Sequence, residues 1–124
     1  MIKEEELTGK ILKCAYAVHS ELGPGLFEKV YEECLFYELR ELGLFVEKQI
    51  ELPVEYKGIE IDAGYGIDLL IEDKVIIELK AVKELSDIHT AQLLTYMKLS
   101  YTDIGFLINF NVRSLKDGIK RFIL

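Results

Sequence analysis

The chain has 124 residues, half of them hydrophobic and 30% charged, with a formal net charge of −7 and two cysteines. That length supports one hydrophobic core rather than two. The charge argues against coating nucleic acid through bulk positive potential, though a local site where a metal ion supplies positive charge remains compatible with it. No apolar run approaches the roughly 20 residues a membrane-spanning helix needs. Acids in the opening "MIKEEELTGK" stand where a leader peptide would be greasy, so the cytoplasm is the expected compartment.

Taken in chain order, Leu7, Ile11, Cys14, Ala15, Val18 and Leu22 recur at helical spacing and predict a helix over 5–22. "GPG" at 23–25 ends it. A second helix is expected over 26–42, burying Val30, Cys34, Leu35, Leu39 and Leu42, with Gly43 as its cap. Cys14 and Cys34 lack CxxC spacing and read as small buried hydrophobes. The period then changes to two. With Lys57–Gly58 as a turn, Tyr56 meets Ile59, Val54 meets Ile61, Leu52 meets Ala63 and Ile50 meets Tyr65, the buried face of a hairpin. Gly64 and Gly66 predict a bend or bulge before residues 67–71. Strands are expected at 75–82 and 104–110, separated by a helix over 87–99 with Ser86 as N-cap. The fold class is α/β: helices covering a small mixed sheet.

Two acids and a lysine interrupt the apolar stretch "IDLLIEDKVIIELKAV". If residues 72–74 form a loop, Ile71 meets Val75, Leu69 meets Ile77 and Ile67 meets Leu79 on one apolar face. The other face reads Leu70 with Ile76, Asp68 with Glu78 and Gly66 with Lys80, a segregation that a one-residue slip destroys. Asp68 and Glu78 then oppose each other, roughly 5 Å apart at Cβ. Such a pair repels unless a cation lies between the acids or one keeps its proton. Magnesium suits two carboxylates plus waters, and an adjacent lysine can orient or deprotonate a bound water. Asp68 could equally pair with Lys80 or sit at a wet strand end.

"GIDLLIEDKVIIELKAV" resembles the catalytic hairpin of the PD-(D/E)XK nuclease superfamily, with Asp68, Glu78 and Lys80 as the D…ExK set. "LGPGLFEKVYEECL" is similar to the signature of the GxxExxY family, with Gly25, Glu28 and Tyr31 in its named positions. "AQLLTYMKLS" and "LINF…LKDGIKR" resemble that family's later blocks, so the likeness spans about residues 7–122. It implies a single restriction-endonuclease-like domain over 1–124, with an αβββαβ core. It also implies magnesium-dependent hydrolysis of DNA phosphodiesters, Mn2+ serving as a substitute. Asp68 and Glu78 would be metal ligands with the Leu79 carbonyl, Glu28 would reach the metal from the second helix, and Lys80 would activate water or stabilise charge. Gln92 and Tyr96 resemble the QxxxY element of RecB-like nucleases. Gly66 departs from the pattern, falling where relatives often carry a basic residue.

Each of these residues also has an ordinary structural role open to it. An acid such as Glu28 suits any first helical turn, and Gln92 and Tyr96 are i,i+4 neighbours. His19 reads as a helix-surface residue, His89 as a helix-start residue one turn from Gln92, and Lys120 and Arg121 as a solvated basic pair that could touch phosphate. The alternative from another class is a catalytically silent nuclease fold that docks a partner or nucleic acid. A homodimer would help so short a chain grip a duplex.

Overall fold

The periodic stretches fold much where their spacing puts them. The structure, a computed structural model, describes residues 4–124; residues 1–3 of the opening segment lie outside the described residues. Helix α1 runs Glu5–Leu22, and the helix stop at Gly23 carries φ +66°. Helix α2 runs Glu28–Glu41, after which Gly43, at φ +81°, donates to the Arg40 carbonyl. Strands follow as β1 (Val46–Glu51), β2 (Val54–Tyr56), β3 (Ile59–Ile61), β4 (Gly66–Ile71) and β5 (Val75–Lys80). Helix α3 (Asp87–Leu99) leads to β6 (Ile104–Asn109), a 3-10 turn (Leu115–Gly118) and β7 (Ile119–Ile123).

Five strands form one mixed sheet in the order β1-β4-β5-β6-β7, with only β5 and β6 parallel. A parallel pair needs a crossover, and α3 supplies it. Leu69, Ile71, Val75, Ile77, Leu79, Ile104, Phe106 and Ile108 pack against the apolar stripes of α1 and α2. Ile76 and Leu107 pack against Leu93, Tyr96 and Met97 of α3. This is the expected αβββαβ arrangement, with β7 as an added edge strand the reading did not assign. Among the described residues no helix is long and apolar enough to cross a membrane.

Several expectations are corrected. In α2 the helix starts at Glu28, and the buried positions are Tyr31, Glu32, Leu35 and Leu39, while Val30 and Leu42 face solvent. Tyr31 displaces Val30 because its hydroxyl has partners inside: it donates to the Gly23 carbonyl at 2.6 Å and accepts from the Leu26 N–H at 3.1 Å. Its ring stacks on Phe110 at 4.7 Å. Cys14 is buried but Cys34 only half so, and both are free thiols. His19 is buried, not a surface residue, and bonds the Val112 carbonyl at 2.7 Å.

The β2–β3 hairpin pairs Tyr56 with Ile59 and Val54 with Ile61 as read. Beyond Pro53 the register shifts by two: Leu52 donates to the Tyr65 carbonyl, and Ile50 pairs with Ile67 of β4. The turn at Asp62–Gly64 absorbs the extra residues, with Gly64 at φ +77° and its N–H on the Asp62 carboxylate. The hairpin therefore projects from the sheet, and Tyr56, Ile59, Ile61 and Tyr65 are exposed rather than buried.

Candidate active site

The site begins where two strands stop pairing. β4 and β5 hold the expected register through Ile71 with Val75, Leu70 with Ile76 and Leu69 with Ile77, and the ladder ends there. The three further pairs read from the sequence are replaced by bonds from side chain to backbone. The Asp68 N–H donates to Glu78 Oε1 at 3.0 Å, and the Leu79 N–H donates to Asp68 Oδ2 at 2.9 Å. Each acid thus fills the place of a carbonyl on the opposite strand. Each strand keeps its outer partner past the split: β5 stays in register with β6 from Val75 with Ile104 to Lys80 with Asn109, and β4 stays paired with β1 as far as Gly66 with Glu51. The side-chain alternation of β4 slips at the same point: Ile67, expected beside Leu69, packs with Ile76, Leu93 and Tyr96 instead.

Within the split the carboxylates crowd each other. Glu78 is 4% exposed. Burial, and then the negative charge of Asp68, push its carboxyl from the ordinary 4.5 up to about 9, against the pull of the Asp68 N–H and the Lys80 ammonium. At neutral pH Glu78 therefore keeps its proton unless a cation replaces it. Leu79 offers a third oxygen. The Lys80 carbonyl accepts from Phe110 N–H on the β6 side, so the Leu79 carbonyl, one residue earlier in the strand, points to the β4 side with its own N–H.

The other predicted residues converge on this split from two helices. Glu28, at the start of α2, is exposed; burial and the Asp68 charge raise its carboxyl, while Lys80 and His89 lower it. Glu28 thus lies within electrostatic reach of Lys80, Asp68 and His89. Lys80 Nζ donates to Gln92 Oε1 at 3.4 Å. Tyr96, 5% exposed, has its hydroxyl pushed up to about 12, by burial and then by the charges of Glu78 and Asp68. It is a permanent donor. His89 Nδ1 accepts the Ser86 N–H at 3.1 Å, which ties the ring to the start of α3. Gly66 has its own reason: a Cβ there would lie 3.1 Å from the Ile50 carbonyl oxygen, so β1 and β4 approach too closely for a basic side chain to start comfortably. Lys120 stands apart. It pairs with Leu107, which pairs with Glu78, so it lies two strands, about 10 Å, away.

Sequence reasoning missed two residues at the site. Glu32, one turn after Glu28, is buried with Oε1 on the Gln49 amide at 2.6 Å, and the same amide nitrogen reaches Asp68 Oδ1 at 3.3 Å. The i,i+4 spacing of Glu28 and Glu32 was the available signal; nothing in the strand pattern marked Gln49. Asn109 and Asn111 were also passed over. Asn109 holds both the N–H and carbonyl of Val82, and Asn111 Oδ1 accepts the Gly25 N–H, fixing the loops below the site.

All the candidate donors are oxygen, which suits a hard divalent ion. Among the described residues no group of three or more His, Cys, Asp or Glu side chains is spaced to hold a metal. Two carboxylates, a backbone carbonyl and water are nevertheless a sufficient set for magnesium, which sheds its hydration reluctantly.

A mixed α/β domain whose central antiparallel strands open around an acid pair is the architecture of restriction-endonuclease-like proteins. The family model of the PD-(D/E)XK nuclease superfamily matches residues 5–122, and the chain belongs to that superfamily. Nucleases of this superfamily generally use divalent metals such as Mg2+. No curated protein and no solved structure matches the chain.

Proposed function

We propose that this chain is a magnesium-dependent nuclease of the GxxExxY family that hydrolyses phosphodiester bonds of DNA, acting in the cytoplasm as a single nuclease-like domain over residues 1–124. The observation that carries this reading is the replacement of the β4–β5 ladder by the carboxylates of Asp68 and Glu78 beside Lys80. A domain gains no packing from burying an acid whose proton it must hold to about 9; a site for a cation gives that arrangement a purpose. The GxxExxY assignment draws support from the parts its motif plays: Gly25 at φ +102° in the interhelical turn, Tyr31 locking that turn, and Glu28 between them within electrostatic reach of Asp68 and Lys80.

Asp68, Glu78 and the Leu79 carbonyl would hold the ion, with Glu28 reaching it directly or through water. When bound, the ion supplies Lewis acidity toward a phosphate oxygen and an acidified water. Lys80, its ammonium steadied by Gln92, would orient the attacking water and offset charge on the phosphate. Tyr96 would donate its hydroxyl hydrogen toward a phosphate oxygen, with Gln92 setting its direction.

The test is cleavage of end-labelled single- and double-stranded DNA, with RNA in parallel, in Mg2+ or Mn2+. Wild type should cut, while Asp68→Asn and Lys80→Ala should lose at least about 100-fold, the scale of one general acid–base or electrostatic group. Cleavage surviving Asp68→Asn, or absent in wild type on every substrate, overturns the reading. A second reading, a silent fold that docks a partner, is favoured by one observation: the projecting hairpin exposes Tyr56, Ile59, Ile61 and Tyr65 together. It predicts metal-independent behaviour and no cleavage.

A further inference from the structure

Gln49 has the wrong backbone for its place in a strand. Its neighbours Lys48 and Ile50 pair with Leu69 and Ile67, so the register sets it across from Asp68. Its φ is nevertheless +53°, a left-handed conformation that a non-glycine residue keeps only when its surroundings impose it. The break coincides with two bonds from the side chain. Nε2 donates to Glu32 Oε1 at 2.6 Å and to Asp68 Oδ1 at 3.3 Å.

The acceptor on α2 is as unusual as the donor. Glu32 is 5% exposed, and its second oxygen, Oε2, has no hydrogen-bond partner among the described residues, lying 3.6 Å from the Lys29 ammonium. Nothing in the proposed chemistry uses Glu32, yet the fold buries it within one residue's reach of Asp68. On the far side of Asp68, Oδ2 is held by the Leu79 N–H at 2.9 Å. A carboxylate held through one oxygen still turns about its Cβ–Cγ bond. Held through both, from β5 on one side and β1 on the other, it keeps one plane.

We infer that Gln49 is a positioning residue for the metal site: its amide, braced on Glu32, fixes the plane of the Asp68 carboxylate that faces the ion. The inference rests on the reading of Asp68 as a ligand and goes beyond it by assigning β1 and the interior of α2 a part in metal affinity. Partners of this kind orient ligands without touching the ion, and their loss typically weakens metal binding about 10- to 100-fold.

The experiment is a titration with Mn2+ alone, reading free Mn2+ by its electron paramagnetic resonance signal, alongside thermal melts in EDTA. Gln49→Met keeps the length of the side chain and removes the donor. It should raise the Kd for Mn2+ about tenfold or more; the melts in EDTA check that the variant, which loses the hydrogen bond to buried Glu32, is folded at the titration temperature. Glu32→Gln keeps an oxygen for the Gln49 amide and should hold the Kd within about threefold, whereas Glu32→Leu should weaken it as Gln49→Met does. Gln49→Met binding Mn2+ as tightly as wild type overturns this inference and leaves the metal site standing. Equal loss in Glu32→Gln and Glu32→Leu also overturns it, since the charge rather than the brace would then matter. Wild type taking up no Mn2+ overturns the inference and the site together.

Discussion

Replacing Glu78 by glutamine should stabilise the metal-free protein, although it removes a residue from the proposed site. In the unfolded chain Glu78 releases its proton near 4.5, and in the fold it holds it to about 9. Between those values the folded state carries one more proton than the unfolded one, so the residue's contribution falls as pH rises. The slope is about 1.4 kcal/mol per pH unit. From 4.5 to 7 is 2.5 pH units, so wild type at pH 7 carries a penalty on the order of 3 kcal/mol. Glutamine is neutral at every pH, still accepts the Asp68 N–H now held at 3.0 Å, and turns its amide hydrogens toward the Asp68 carboxylate. Urea unfolding of both proteins in EDTA at pH 5, 6, 7 and 8 checks this. The two curves should lie close together at pH 5 and separate in favour of Glu78→Gln by about 1.4 kcal/mol per unit above it. A difference that stays constant with pH, or a glutamine variant less stable at pH 8, refutes the claim that Glu78 is held protonated by burial and by Asp68.

Other outcomes follow from the same contacts. Asp68→Ala strips the Leu79 N–H of its acceptor and should cost about 1–3 kcal/mol in denaturant unfolding. The same variant should abolish any rise in melting temperature on adding Mg2+. Tyr31→Phe keeps the stack on Phe110 but orphans the Gly23 carbonyl and the Leu26 N–H, a loss of about 1–2 kcal/mol measurable by thermal melts. Gly118→Ala would drive a Cβ into the Asn109 carbonyl oxygen, a backbone atom that cannot swing aside. It should destabilise by about 1–3 kcal/mol or more, whereas Gly105→Ala, meeting the flexible Met97 side chain, should cost less.

The element order was legible because the two periodicities are clean. Helical spacing in 5–22 and alternation in 67–80 each have one reading, and the Glu72–Lys74 loop left only one β4–β5 register that segregates apolar from charged side chains. The fifth strand escaped because β7, "IKRFI", alternates poorly at an edge. The hairpin was misjudged for a different reason. Pairing 54 with 61 and 56 with 59 fixes who meets whom, yet burial depends on whether another layer covers that face, and among the described residues Tyr56, Ile59 and Ile61 stay exposed. At the site, sequence could place Asp68 and Glu78 across from one another. It could not show the ladder giving way to them, since strand alternation does not encode where side chains replace backbone partners. Glu32 and Gln49 were invisible because their role comes from α2 lying against the sheet and from one residue's positive φ, neither of which periodicity encodes.

The central claim concerns what fills the gap between β4 and β5, and anomalous scattering answers it most directly. Crystals equilibrated with Mn2+ at a pH near 7 should show an anomalous peak in contact with carboxylate oxygens of Asp68 and Glu78 and with the Leu79 carbonyl. That peak should vanish in Asp68→Asn crystals treated alike. A saturated crystal with no peak in the gap, and with Glu78 still bonded to the Asp68 N–H as in the metal-free chain, would contradict the account.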